Sequence, residues 1–230
     1  MKHDRSRACA ASDARALVDA TLATLPVPYA LDVPERLLRL SALLSEWGPK
    51  LGLSTIGAEG EALVRHVLDS LLVAAVVPQP AKVLDLGTGA GLPALPLSVL
   101  WPEAVVVAVD SRRRAAWAVA RLAREVGASN VAVLCARADD PDLLAEHGGS
   151  ACVVTSRGLA KSPVAVALSL PFVRPGGSIA ILGGPDLDAW PAAPGHRVHV
   201  VGVPTTDWRR RILVVQRSPG GASQEGSLGS

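Results

Sequence analysis

A chain of 230 residues with 49% hydrophobic side chains and a mean hydropathy of +0.32 can bury one sizeable core, which excludes disorder over most of its length. The formal net charge of +2 neither requires nor forbids a nucleic-acid partner, so any basic footprint has to be local. Cys9, Cys135 and Cys152 are isolated and lack CxxC spacing, which excludes a disulfide framework and reads as core thiols in a reducing compartment.

Residues 1 to about 12 are expected to be flexible. They carry charge but no apolar signal-peptide region, and no run reaches the ~18 uncharged apolar residues of a membrane span, so the expected location is cytoplasmic. A helical extension is expected over 13–78. Its first helix covers Asp13 to Leu25 and stops at Pro26 and Pro28. The second opens at Asp32, with Pro34 in the first turn and Glu35 placed for a capping box, and Gly48 and Pro49 are expected to end it. Leu37, Leu40, Leu44, Trp47 and Leu51 recur at steps of three and four and form one apolar stripe. A third helix, about Gly60 to Val77, is apolar over most of its surface yet holds Arg65, His66 and Asp69 in RHVLDS.

From 81 to 217, strand and helix patterns alternate, which predicts an α/β fold with a parallel sheet covered on both faces. Strands are expected at Val83–Leu86, Val105–Val109, Val131–Cys135, Cys152–Thr155, Ser178–Leu182, Val198–Val203 and Ile212–Gln216. Helices are expected near Leu92–Leu100, Arg112–Val126 and Pro163–Val173, the second closed by Gly127 as a left-handed cap. The last two strands follow without a clear helix between them, which predicts a reversed terminal hairpin. Residues 218–230 are Gly and Ser rich and read as a disordered tail.

The chemistry centres on KVLDLGTGAGLPALPL. A buried strand holding Asp85 runs into Gly87, Thr88, Gly89, Gly91 and Leu92, a GxGxG loop whose glycines let the backbone approach a bound group. The dinucleotide GxGxxG spacing is absent, which disfavours an NAD oxidoreductase. Asp110, at the end of the second strand and followed by Ser111, is placed to accept two ribose hydroxyls; the same residues are also good capping chemistry for the next helix. Ala138 and Asp139, past the third strand, stand where an adenine amino group would meet a carboxylate, or where DDP caps a short helix. His196 and His199 have no further ligand in view, so no metal site is expected.

LVRHVLDSLLVA, DLGTGAGLPALPL, WPEA, CARADD, TSRGLA and RRRILVVQR occur in this order between about Leu37 and Arg217, and this arrangement resembles the RsmG (GidB) family of bacterial 16S rRNA guanine-N7 methyltransferases. The resemblance implies a class I SAM-dependent methyltransferase fold, Rossmann-like, with a seven-stranded sheet and an N-terminal helical extension. It implies S-adenosyl-L-methionine as cofactor and the 530 loop of 16S rRNA, in the small ribosomal subunit, as target of what is expected to be a monomer. Cofactor contacts are implied for Gly87, Thr88, Gly89, Asp110, Ala138 and Asp139, with Asp85, Gly91, Leu92, Ser111 and Arg157 alongside. Active-site roles are implied for Arg157, Arg137, His66 and Asp69, the last two facing the same cleft from the helical extension. Without the resemblance, Arg65, His66 and Asp69 read equally as a helix-surface salt bridge.

Three positions depart from the family pattern. Gly52, Leu53 and Ser54 replace Asn-Leu-Thr, Gly183 and Gly184 replace Lys-Gly at the end of the fifth strand, and Arg114 and Ala115 replace a basic pair. A different RNA or small-molecule substrate, or a non-catalytic SAM-binding protein on ribosomal particles, are the alternatives these departures raise. Arg112 to Arg114 and Arg209 to Arg211 are either phosphate contacts or solvated faces.

Overall fold

The computed structural model describes residues 11–53, 56 and 58–220. The expected flexible start (1–10, with Cys9), Ser54 and the tail beyond 220 lie outside these residues.

Helix α1 (Ala11–Ala23) packs on α2 (Val33–Lys50). The expected capping box at Asp32 does not form. Asp32 is itself helical (φ −84°, ψ −12°) with no side-chain cap, and it faces Arg36 as an ion pair at 3.5 Å instead. Nor do Gly48 and Pro49 end the helix, which runs on to Lys50. Proline so close to the terminus removes one amide from the last turn, and the turn closes regardless. Gly52 makes the true cap, at φ +63°, with the Leu53 N–H reaching the Gly48 carbonyl at 2.9 Å.

A helical rod follows, built from α3 (Glu59–Ala62), a π-helical stretch (Leu63–Leu68), α4 (Asp69–Leu71) and a 3-10 turn (Leu72–Ala75). In the π stretch the Asp69 N–H reaches back five residues to Val64. Wide turns of this kind favour functional sites because they re-aim side chains within an otherwise regular helix.

The sheet contains β1 (Lys82–Leu86), β2 (Val105–Val109), β3 (Val131–Leu134), β4 (Ala151–Arg157), β5 (Val173–Gly183), β6 (His196–Gly202) and β7 (Arg209–Gln216). Their order is β3-β2-β1-β4-β5-β7-β6, with β1 to β5 parallel and β7 antiparallel to both its neighbours. The expected terminal hairpin is therefore present, with the last strand inserted between β5 and β6. Between strands lie α5 (Ala94–Leu100), α6 (Arg113–Glu125), α7 (Pro141–His147) and α8 (Ser162–Ser169). The α7 cap is the one expected of DDP: the Asp140 carboxylate accepts the Asp142 N–H at 2.9 Å.

The helical extension and the sheet share one apolar layer. Leu22, Leu37, Leu40, Leu44 and Leu68 belong to the same buried cluster as Val83, Val106 and all-buried α5. Leu84, Val107, Val154, Phe172 and Ile179 fill the opposite layer. Arg36 fastens the extension to α6 by donating to the carbonyls of Val126 and Gly127 just past its last turn, at 2.9 and 3.0 Å. Arg114 does the same from α6 to the Lys50 carbonyl, and Ala115 is buried, so this departure from the family's basic pair serves packing. Among the described residues, no helix is long and apolar enough to cross a membrane.

A shared core makes the extension and sheet one cooperative unit. Leu40→Ala is expected to cost about 2–5 kcal/mol and to shift a single urea transition. Tryptophan fluorescence and far-UV circular dichroism should report the same midpoint; two separated midpoints would show that the extension melts alone.

Candidate active site

The parallel strands end on one edge of the sheet, and the strand order reverses between β1 and β4. Ligands of doubly wound sheets bind outside the strand ends at such a switch point. Two cavities lie there, of about 490 and 380 Å³, and Gly158, just past β4, lines both.

The larger cavity is lined by Gly87, Asp110, Ser111, Arg137, Ala138 and Asp139, together with Arg112 and Leu159. Gly87, Gly89 and Gly91 all have positive φ (+71°, +58° and +85°). A Cβ on Gly87 would sit 2.7 Å from Leu159, which folds over the loop, and one on Gly91 would sit 2.5 Å from Leu95. At Gly89 a Cβ would have no neighbour nearer than the Arg112 guanidinium at 3.8 Å, so the loop leaves open space at that point. Asp110 receives the Gly89 N–H at 2.8 Å and the Arg112 N–H at 2.9 Å, while the Arg112 side chain lies along the carboxylate at 3.1 Å. Burial works to raise the Asp110 pKa, but these hydrogen bonds outweigh it and hold the carboxyl below its usual range. Asp110 therefore orders the turn before α6, whose N-cap Arg112 has no side-chain cap, and it lines the cavity. Arg137 and Asp139 form an exposed bidentate pair at 2.9 and 3.1 Å. Arg137 thus stands at this cavity, apart from Arg157 and His66.

Leu92 and Asp85, expected as contacts, line neither cavity. Leu92 is buried in the core. Asp85 is fully buried, with one oxygen accepting from Thr155 at 2.8 Å and the other without a hydrogen-bond partner. The Thr88 and Ser156 hydroxyls, also buried, lack hydrogen-bond partners too. Such groups cost free energy unless a ligand or water satisfies them; of the three, Ser156 lines the smaller cavity. Burial pushes the Asp85 carboxyl up to about 6, against the opposing pull of Thr88, Thr155 and Arg157.

The smaller cavity is lined by Arg65, His66, Ser156, Arg157, Asp186 and Gly184, with Trp208 from the turn before β7 and Arg210 from β7. Asp69 lies behind it, completely buried rather than facing the cleft. Its carboxylate takes four donors: Arg157 at 3.1 Å, Arg210 at 2.7 and 2.9 Å, and the Trp208 indole at 2.8 Å. Arg157 also donates to the Arg65 carbonyl and lies 3.3 Å from His66 Nδ1. Burial, and then the Arg157 charge, lower the His66 pKa, leaving a neutral imidazole at pH 7. The helix-surface alternative is not what forms, because Arg65 pairs with Glu61 and stacks on Trp208, 4.8 Å from the ring centroid.

Trp208 and Arg210 were not singled out as cleft residues from sequence. Alternation along β7 was the available signal. It sends Arg210 to the Asp69 side, away from Arg211, which pairs with Asp188, while Arg209 folds back on the Thr206 and Trp208 carbonyls. At Gly183, where the resemblance leads one to expect lysine, a Cβ would lie 2.6 Å from the Leu187 side chain, so any side chain there requires Leu187 to move. A cation reaches that strand end from β7, for Arg210 donates to the Gly183 carbonyl at 3.1 Å. Among the described residues, no group of three or more His, Cys, Asp or Glu is arranged to hold a metal.

The raised Asp85 pKa carries a linked stability. The native state keeps a proton between the unfolded pKa, about 3.9, and about 6, so stability falls as pH rises through that window, by up to about 3 kcal/mol. Asp85→Asn removes this dependence. Urea unfolding should find the variant more stable than the parent at pH 7 and the difference vanishing near pH 4; a difference independent of pH would remove Asp85 as its source.

Residues 34–190 match the family model for rRNA small subunit methyltransferase G (GidB). Over 195 residues the chain is 36% identical to ribosomal RNA small subunit methyltransferase G of Deinococcus radiodurans, covering 80% of this chain and 77% of that one. It is 33% identical over 147 residues to the Lactococcus lactis strain IL1403 protein of the same name, spanning 62% of it. Among solved structures, a Corynebacterium glutamicum protein aligns over 77% of this chain and 89% of its own, with TM-score 0.53 and 17% identity. An Agrobacterium tumefaciens protein described as a predicted O-methyltransferase aligns over 65% and 81%, with TM-score 0.52 and 16% identity. These two show the fold, a class I, Rossmann-like sheet with helices on both faces. With a family match over more than half its length and a relative this similar across most of both chains, the protein belongs to the GidB family, rRNA small subunit methyltransferase G.

Proposed function

We propose that this protein methylates N7 of a guanine in the 530 loop of 16S rRNA, with S-adenosylmethionine as donor. One observation carries the reading: a glycine-loop cavity holding a carboxylate and a cationic cavity meet at Gly158 on the switch-point edge. Their residues suit a donor in the first and a nucleobase in the second.

The donor supplies an electrophilic methyl group on a sulfonium. Asp110 would hold its ribose, the open space at Gly89 would receive its backbone-facing side, and Asp139 and Ala138 would border its adenine. Asp85 and Thr88, buried where β1 meets the glycine loop, would meet its amino-acid end, while Ser156 lies on the second cavity. Guanine N7 has a free lone pair at neutral pH, so no residue has to remove a proton, consistent with a neutral His66. What the chain contributes is placement and exclusion of water, effects worth ~7–11 kcal/mol in well-oriented systems. Positive charge grows on the base during transfer, so a guanidinium facing N7 would oppose the reaction. Asp69 answers this by drawing Arg157 and Arg210 into fixed positions from which their free N–H groups can serve O6 or a phosphate. Asp69 is thus a positioning residue, and Arg137 belongs to the donor side.

Arg112 occupies the carboxylate that the ribose would need. Calorimetry with S-adenosylmethionine should show Asp110→Ala weakening binding about 10–100-fold. Arg112→Ala removes an exposed competitor worth up to about 1 kcal/mol and should tighten binding up to about fivefold. Equal affinities in all three proteins would restrict Asp110 to holding the glycine loop and the turn before α6.

The reaction itself is tested by transfer of labelled methyl to small-subunit rRNA from a strain lacking the modification, followed by mapping of N7-methylguanosine. Incorporation at guanine N7 is expected, and Arg157→Ala should reduce it at least tenfold while leaving donor binding within a few-fold. Donor binding without incorporation would refute the assignment.

A further inference from the structure

The smaller cavity contains a feature that a phosphate or a generic base does not require. Among the described residues lining it, Asp186 is the one carboxylate, in company with Arg65, Arg157 and Arg210. Its two oxygens are held separately: one accepts the hydroxyl of buried Ser162 at 2.5 Å, the other the Gly184 N–H at 3.1 Å. The Ser162 hydroxyl, helped by the backbone N–H groups of Gly184, Asp186 and Ser162, holds the carboxyl below its usual range, so it is ionised at neutral pH. An ionised carboxylate offers about four acceptor sites. Asp186 is exposed, and each oxygen has one close donor, Ser162 or Gly184, which leaves both with acceptor capacity toward the cavity.

The backbone explains why Asp186 stands there. Gly183 has no side chain, so Leu187 packs into the space beside the strand end and is fully buried. That contact anchors the short 3-10 turn Pro185–Ala189, which carries Asp186 to the cavity. Replacement of the family's lysine by glycine is therefore coupled to the position of this acid.

Of the four RNA bases, guanine alone presents two adjacent donors, N1–H and the N2 amino group. Adenine and cytosine place an acceptor ring nitrogen beside their amino group, and uracil flanks its N–H with two carbonyls. A carboxylate with acceptor capacity on both oxygens complements guanine and repels the others. The edge it would take lies across the ring system from N7, which stays free to face the seam at Gly158. On these grounds, and resting on the proposed guanine-N7 reaction, we infer that Asp186 is the specificity residue that reads the N1–H and N2 edge of the target guanine.

The test compares full-length protein and Asp186→Asn on an RNA fragment containing the 530 loop, with the target guanosine intact or replaced by inosine. Inosine keeps N7, O6 and N1–H and lacks only the N2 amino group. A hydrogen bond to a charged partner is worth ~1.5–3 kcal/mol, so the unaltered protein should prefer guanosine by about 10–150-fold in kcat/KM. In Asp186→Asn the guanosine value should fall toward that of inosine, compressing the ratio to within about threefold, with donor affinity and Tm unchanged. A ratio near one in the unaltered protein, or a ratio that survives Asp186→Asn, would overturn the inference while N7 methylation continues. Failure of the unaltered protein to methylate guanine N7 in any substrate would instead refute the reaction, and the inference with it.

Discussion

One buried carboxylate organises the catalytic edge of this protein. Asp69 comes from the helical rod, Arg157 from the end of β4, and Arg210 and Trp208 from β7 and the turn before it; β5 already ties β4 to β7, and Asp69 ties the helical rod to both. The arrangement has a definite electrostatic logic. A fully buried acid is tolerable only with its charge compensated and its lone pairs used, and four donors do both. Two guanidiniums against one carboxylate leave an excess positive charge facing the cleft, in the place where an anionic polymer has to enter. The same excess, with burial, keeps His66 neutral.

The two cavities divide the work along the sheet edge. Glycines after β1 leave space beside the backbone, and Asp110 after β2 brings a carboxylate to the same cavity. The second cavity is formed by later strands and by the helical extension, so its chemistry depends on long-range packing. Gly158 is the shared wall, at φ +70°, and Leu159 beyond it covers Gly87. A change in the loop after β4 would therefore disturb both cavities together.

The departures from the family pattern have separate physical explanations. Gly52 stands at the left-handed position that closes α2, and glycine and asparagine are the residues that adopt this conformation at least cost, so Gly for Asn preserves the turn. Gly183 is a different case, because Leu187 fills the space a side chain would take and Arg210 brings a cation to the carbonyl from another strand. Low aromatic content is offset locally, since Trp208 is held by Asp69 and flanked by Arg65 and Arg210 at 4.8 and 5.4 Å from its ring centroid.

What could be read from the chain was what repeats or is local. The strand and helix alternation, the positive-φ loop after Asp85, Gly127 as a helix cap and the reversed final hairpin all follow from short-range periodicity and backbone sterics. Helix ends were less legible: Gly48 and Pro49 carry the usual stop signals, yet the αL glycine that closes α2 lies three residues beyond Pro49, because a proline in the last turn removes few bonds. Charge placement belonged to the tertiary structure. RHVLDS reads as a helix face, and only the π-helical turn together with β7 inserted beside β5 turns Asp69 inward and brings Arg210 onto it. Partners 88 and 141 residues apart leave no periodic mark in a sequence, since burial, not spacing, decides which charges meet.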